Sequence, residues 1–354
     1  MINLNYFGTV ALVSFLIALA FILLGLKFFP KLKLMDRPLK YGLKRDPIPY
    51  YGGTLIYLAF VVCCFIFLKF SVELLGLMLA ATIIVVTGFL DDYFSLPPVI
   101  RLIVQALCAF LLVFFGVKVL SITSPFGGVL DLSFLKAYGV PIFSVIFSII
   151  WVVLITNTMN FLDGVGGLTS GVSFIAYLTI FFLSIRPGIH ENLASQETVA
   201  TIALIIAFVS LAFTVFDFPP AKILMGDTGS TFLGFMLAAL SMYSGGKIAT
   251  AFLVLGVPIL DAGWVILRRI SEGKKPWKGD LKHLHHRLLN FGFKDHTVLL
   301  IIYSLSVVFG ILAVISSTAR QKFSIIIGLL VLMLVLVIGL FISGKRKSKS
   351  KNLN

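Results

Sequence analysis

The sequence predicts an all-α fold: a polytopic integral-membrane helix bundle with about eleven transmembrane helices. Three observations predict it. Hydrophobic residues make up 59% of the 354 and charged residues only 12%, about half the charged share of a soluble protein. Apolar runs close to the roughly 20 residues that span a bilayer recur along the chain. Basic residues crowd into alternate loops, as the positive-inside bias requires. A separate soluble domain is excluded. The longest polar stretch lies between about Arg268 and Asp295, too short to bury a core of its own.

The first apolar run, 8–29, has no Lys or Arg before it and a basic cluster after it. That pattern predicts a retained helix with its N-terminus outside, not a cleaved leader. Further spans are expected at 52–70, 73–90, 99–118, 140–158, 167–185, 198–216, 230–246, 248–267, 297–318 and 323–343. The seventh and eighth are short or rich in Gly and Ser. An odd number of spans puts the C-terminus inside. In that topology 22 of the 29 Lys and Arg lie inside and 7 outside. Residues 1–343 then form a single transmembrane catalytic domain, and 344–354 a basic cytoplasmic tail, expected to be disordered or to lie on anionic headgroups. Among the outside loops, Ser121–Tyr138 contains Gly-Gly and Pro and predicts turns or a small hairpin.

The net charge of +14 follows from that orientation and suits anionic lipid or nucleotide phosphate. Nucleic acid is not expected as a partner. Cys63, Cys64 and Cys108 sit in apolar runs without metal or disulfide spacing, as packing residues do. No internal repeat is visible, which argues against a transporter built from inverted halves.

Four polar clusters fall in the inside loops. The first is Asp91-Asp92, in GFLDDYFSL at the end of the third span. Adjacent helical residues diverge by about 100°, so one carboxylate can face a site while the other orients a neighbour. Two acids at a helix C-terminus oppose the macrodipole, which favours function over an ordinary polar end. The second is NTMNFLDG. Asn157, Asn160 and Asp163 recur every three residues and would lie near one helical face. Gly164 opens the flexible GVGGL beside them. Amide oxygens with a carboxylate suit a hard cation or the polar groups of a nucleotide; plain helix capping is the blander reading.

The third cluster is MGDTGS, Met225 to Ser230, a compact turn opening a helix. Its amides would attract phosphate and Asp227 would hold a metal bridging that phosphate, although the stretch also reads as an N-cap. The fourth is HLHHRLL. His283, His286 and Arg287 would share a face at i, i+3 and i+4, with His285 pointing elsewhere. No Cys or carboxylate completes a zinc set. A cationic patch for pyrophosphate fits better, with Arg287 as planar clamp. Together the clusters are the parts for magnesium-dependent phosphoryl transfer.

In these motifs the chain resembles the polyprenyl-phosphate N-acetylhexosamine-1-phosphate transferases, a group within glycosyltransferase family 4. The resemblance rests on DRPLK with PYYGG, FLDDYFSL, NTMNFLDG, PPAKILMGDTGS, PILDAGWVILRR and HLHHRLL, in order across about residues 1–340. It implies transfer of a sugar-1-phosphate from a UDP-sugar donor to a polyprenyl phosphate acceptor, with release of UMP and with Mg2+ (or Mn2+) as cofactor. It places the protein in the cell membrane with its active site on the cytoplasmic face, and allows a homodimer. The last motif is similar to the N-acetylglucosamine-1-phosphate branch; the phospho-N-acetylmuramoyl-pentapeptide branch is the alternative. The resemblance implies Asp227 and Asn160 at the metal, Asp91 and Asp92 near the lipid phosphate, and Asn157, Asn160, Asp163, Gly164 and Lys222 around the substrates. His283, His285, His286 and Arg287 would form the diphosphate and sugar loop, and Arg101 would meet the lipid phosphate. Three positions depart from the usual pattern: Gly166 stands where an acid is common, Leu224 where a Phe often precedes MGD, and Asp217 where Asn is usual.

A phosphomonoester has a second pKa near 6, so the acceptor is largely a dianion at pH 7 and can attack directly. An aspartyl-phosphate route is the alternative. Asp91 or Asp92 would hold or accept the last proton. Asp261, within the expected ninth span and about 10 Å from the inner surface, is a functional suspect or pairs with a neighbouring span. A transporter would place acids near the midplane, where Asp261 alone qualifies, and a passive scaffold would not need these clusters.

Overall fold

The computed structural model describes residues 4–38, 45–137, 139–186, 193–243, 248–274 and 283–351. Its helices are α1 (Leu4–Phe28), α2 (Gly52–Phe67), α3 (Val72–Phe94), α4 (Pro98–Phe114), α5 (Ile142–Leu162), α6 (Leu168–Ser184), α7 (Leu193–Asp217), α8 (Gly226–Tyr243), α9 (Ile248–Val254), α10 (Gly256–Ser271), α11 (Leu284–Phe291), α12 (Asp295–Ile315) and α13 (Ala319–Lys351). Each expected apolar segment overlaps a described helix, the ninth being divided between α9 and α10. Five described helices are long and apolar enough to cross a membrane, and six if α9 and α10 form one bent span. The protein is thus an all-α membrane protein. The segment after Gly344 continues α13 to Lys351.

The hairpin expected at Ser121–Tyr138 is present. β1 (Ser121–Thr123) pairs antiparallel with β2 (Val129–Asp131). A second ribbon joins β3 (Lys136–Ala137) to β4 (Val140–Pro141).

α8 is the central element, in contact with α2, α3, α5, α6, α7 and α9. Nearly all of its residues from Gly226 to Met242 are buried. That explains its Gly- and Ser-rich sequence. A helix enclosed by other helices needs small residues for close approach. At Gly53 of α2 a Cβ would lie 2.1 Å from the Gly229 amide, and at Gly88 of α3 it would lie 2.7 Å from Thr228 Cα. The backbones of α2 and α3 therefore rest directly on the first turn of α8.

The ninth span departs from expectation. It is not one helix over 248–267. It breaks at Leu255 and α10 leaves α9 at 81°. Pro258 has no amide hydrogen to continue the ladder from α9. Gly256 lets α13 pack against the break, since a Cβ there would meet Leu329 Cδ2 at 1.9 Å. α10 then runs against α5 and α13. Asp261 therefore lies on α10, beyond the break, rather than within one continuous helix.

Candidate active site

The site forms where the C-terminal ends of α3 and α5 meet the N-terminal ends of α4 and α8. The turn before α8 is made rigid first. Leu224 donates its amide to Pro49, and Gly52 and Gly53 donate to Leu224 and Met225, each at 2.9 Å. This zips the PYYGG segment to the segment entering GDTGS. Gly226 sits at φ +70 with Asp92 against it, where a Cβ would be 2.6 Å from Asp92 Oδ2. Glycine is the residue that adopts this conformation without steric penalty.

Asp91 and Asp92 then diverge as adjacent helical residues must. Asp92 Oδ1 accepts the Asp227 amide at 2.8 Å. Its Oδ2 accepts the Thr228 amide at 3.0 Å and the Thr228 hydroxyl at 2.5 Å. Asp92 therefore caps α8 from another helix. Asp91 is 6% exposed. Its Oδ1 accepts the Leu96 amide at 2.7 Å, and its Oδ2 accepts Arg101 Nη1 at 2.6 Å. The same Nη1 reaches Asp227 Oδ2 at 3.0 Å. Arg101 thus bridges the two acids from the first turn of α4.

Asn160 completes the arrangement. Its Nδ2 donates to Asp227 Oδ1 at 2.9 Å and to Ser230 Oγ at 3.0 Å. Asn157 turns away, donating to Gln105 Oε1 of α4 at 2.6 Å. The expected common face of Asn157, Asn160 and Asp163 is thus divided between two neighbouring helices. Asp163 lies just beyond α5. Burial pushes its carboxyl up, with Asp217 and Asp227 adding to the effect.

Sequence reasoning gave Tyr50 no role. Burial pushes its phenol up, and the carboxylates of Asp92, Asp227 and Asp163 push it further. It therefore stands among three acids as a neutral hydroxyl. The signal was present in PYYGG, but an aromatic before a glycine pair does not announce a carboxylate partner.

The His segment is arranged differently from the expected i, i+3, i+4 face. His283 precedes α11 with φ −62 and ψ 157, so helical spacing does not start there. Its ring stacks on Phe161 at 5.6 Å and on His285 at 5.8 Å. His285 is 2% exposed and is turned inward onto Gly164, where a Cβ would lie 2.3 Å from its Nε2. Burial, then His286 and His283, lowers its pKa to about 3. His285 is thus a neutral packing group. His286 and Arg287 are half-buried, with the Arg287 amide donating to His283 O at 3.0 Å. Lys222 is exposed on the loop between α7 and α8. Lys275, Lys278 and Lys282 lie outside the described residues.

The departures at Gly166 and Asp217 are spatially linked. A Cβ on Gly166 would lie 2.6 Å from Asp217 O and 3.6 Å from Asp217 Oδ1. Asp217 Oδ2 accepts the Gly167 amide at 2.9 Å and the Ser170 hydroxyl at 3.0 Å. Asp217 thus fills the space beside position 166 and caps α6.

Among the described residues, no three His, Cys, Asp or Glu side chains close on a common metal position. Magnesium does not need such a cage. It commonly takes one or two carboxylates, several waters and substrate phosphates. Asp227 with the Asn160 amide fits that donor set. A largely apolar cavity of about 450 Å³ opens beside Arg101 and Asn157, lined by Leu102, Val153, Phe161 and Ile266 among others.

The sequence matches the model of "Glycosyl transferase family 4" over residues 74–245. A Bacillus subtilis protein described as a probable undecaprenyl-phosphate N-acetylglucosaminyl 1-phosphate transferase is 30% identical, over 84% of this chain and 81% of its own. A Mycobacterium tuberculosis decaprenyl-phosphate N-acetylglucosaminephosphotransferase is 31% identical over 82% and 79%. An Escherichia coli K12 undecaprenyl-phosphate alpha-N-acetylglucosaminyl 1-phosphate transferase is 28% identical over 85% and 81%. The segment matched to the family contains Asp91, Asp92, Arg101, Asn160, Asp163 and Asp227, and the relatives extend the likeness well beyond it. The chain belongs to glycosyl transferase family 4, in its group of polyprenyl-phosphate N-acetylhexosamine-1-phosphate transferases.

Proposed function

We propose that this protein transfers N-acetylglucosamine-1-phosphate from UDP-N-acetylglucosamine to a polyprenyl phosphate, on the cytoplasmic face of the cell membrane, with release of UMP. The observation that carries the reading is the position of Arg101. Its guanidinium ties Asp91 to Asp227 and also lines the apolar cavity between α4, α5 and α10. A lipid phosphate needs such a junction: an apolar path for the chain that ends at a cation for the head.

An oxygen of the lipid phosphate attacks the β-phosphorus of the donor. The bond from that phosphorus to the UMP oxygen breaks, and UMP leaves with the electron pair. The sugar keeps its own bond to phosphorus, and a lipid-linked sugar diphosphate results. Asp227 and Asn160 would hold magnesium, which would supply positive charge against the diphosphate. Arg101 and Arg287 offset the repulsion between the two anions and hold them in line. Asp92 keeps the α8 turn aimed, and Tyr50 holds a hydroxyl among the acids. Direct attack is favoured because Asp91 and Asp92 give both their oxygens to protein donors, which leaves neither poised as a nucleophile.

The test is UMP release by the purified full chain with magnesium, polyprenyl phosphate and either UDP-N-acetylglucosamine or UDP-N-acetylmuramoyl-pentapeptide. Turnover with the first donor is expected. Turnover with the second alone moves the protein to the peptidoglycan branch, and no UMP from any UDP-sugar ends the enzyme assignment to this reaction.

A further inference from the structure

Asp261 has no part in the transfer as described so far. It stands in α10, well away in sequence from every cluster, yet its carboxylate reaches the His segment. Oδ2 lies 2.9 Å from Nδ1 of His283. Oδ1 accepts the amide of Leu284 at 2.9 Å. Leu284 opens α11, and no side chain of His283 caps that helix. Asp261 therefore supplies the cap from another element. Both partners are withdrawn from solvent, with side chains 13% and 7% exposed.

The chemistry of the pair fixes a proton. A carboxylate offers only acceptors to these two donors. His283 must then carry a hydrogen on Nδ1, and the neutral tautomer compatible with this contact has its lone pair on Nε2. Among the described residues, nothing hydrogen-bonds to that Nε2. Stacking on Phe161 and His285 holds the ring plane. Arg287 is tied to the same point, since its amide donates to His283 O.

We infer that Asp261 is a positioning residue for the transfer. It holds His283 in the Nδ1–H tautomer and pins the first turn of α11, so that His283 Nε2 and the Arg287 guanidinium are presented together to the diphosphate of a nucleotide sugar. The ligand rests on the transferase reading above; the tautomer does not. Asp261 makes these contacts from α10, which is bent by 81° from α9.

The experiment is 15N spectroscopy of the full chain in detergent micelles, labelled at the histidine rings and recorded at pH 8, with His283→Gln to assign the ring. The wild-type ring is expected with hydrogen on Nδ1 and none on Nε2. In Asp261→Asn the single amide oxygen is kept by the Leu284 amide and the NH2 turns to the ring. The proton then moves to Nε2. UMP release by that variant is expected to fall about 100-fold in kcat, while its melting temperature stays within about 3 °C of wild type. Asp261→Ala, which removes the cap as well, is expected to lose both activity and melting temperature. A wild-type ring protonated at Nε2 alone overturns the inference, as does Asp261→Asn turning over within twofold of wild type. If the wild-type protein releases no UMP from any UDP-sugar, the transferase reading fails and the tautomer measurement alone decides the role of Asp261.

Discussion

Asp227 keeps its side chain for Arg101 and Asn160, while only its backbone amide takes part in the cap from Asp92. Asp227→Asn is therefore expected to leave the fold intact and to lower UMP release by at least about 1000-fold, checked by turnover beside a thermal melt. Asp92→Ala removes the cap instead and is expected to lose about 0.5–2 kcal/mol of stability together with activity. Asp163 separates function from stability. Its folded pKa is raised by burial, so the folded state binds more protons than the unfolded state once pH passes the unfolded value near 3.9. Stability then falls with rising pH from there to the folded pKa, and the deficit is complete above it. Asp163→Asn removes the charge at equal size. It is expected to raise the melting temperature at pH 7, flatten that pH dependence and impair transfer. His285 has the opposite sign. Its folded pKa of about 3 lies below the unfolded value near 6.5, so its contribution is full above pH 6.5 and is lost as pH falls toward 3.

At the scale of elements, the first turn of α8 is set by backbone contact rather than by side-chain packing. Gly53 meets Gly229, and Gly88 meets Thr228. A methyl group at Gly53 has only backbone to push against, so α2 or α8 must shift. Gly53→Ala is expected to destabilise the protein by about 1–3 kcal/mol and to lose activity as well, because the same shift opens the PYYGG zipper. Gly166→Asp would install the acid common in the family, but its Cβ would meet the Asp217 carbonyl oxygen at 2.6 Å. The single variant is expected to melt lower than wild type. Asp217→Asn alone keeps the oxygen that accepts from Gly167 and Ser170, and is expected to be tolerated better.

At the scale of the molecule, the site residues gather at one end of the bundle and the β1–β2 hairpin follows the opposite end of α4. Single cysteines test the orientation in a background without Cys63, Cys64 and Cys108, which are buried and unpaired. With Lys222→Cys and Phe126→Cys, an impermeant thiol reagent added outside intact cells is expected to label position 126 and spare 222, both being exposed. Labelling of 222 alone would invert the topology.

The sequence by itself determined the helical membrane class, the positions of the apolar segments, the hairpin after α4 and the family. These follow from composition, run length and local motifs, which depend on neighbours along the chain. It also pointed to Asp91, Arg101, Asn160 and Asp227, which carry chemistry in their residue types and which the structure brings into contact. Only the tertiary structure decided how those residues divide the work. Asp92 proved to cap α8, Asn157 to face Gln105, His285 to pack on Gly164, and Tyr50 to stand among the acids. Each of these depends on a partner more than 40 residues away in the chain, and periodicity carries no information about which helix a face will meet. Asp261 shows the same at shorter range. Read as part of a straight ninth span it was an isolated acid, whereas in the folded chain it lies on α10 beyond the break at Leu255 and meets His283, 22 residues on.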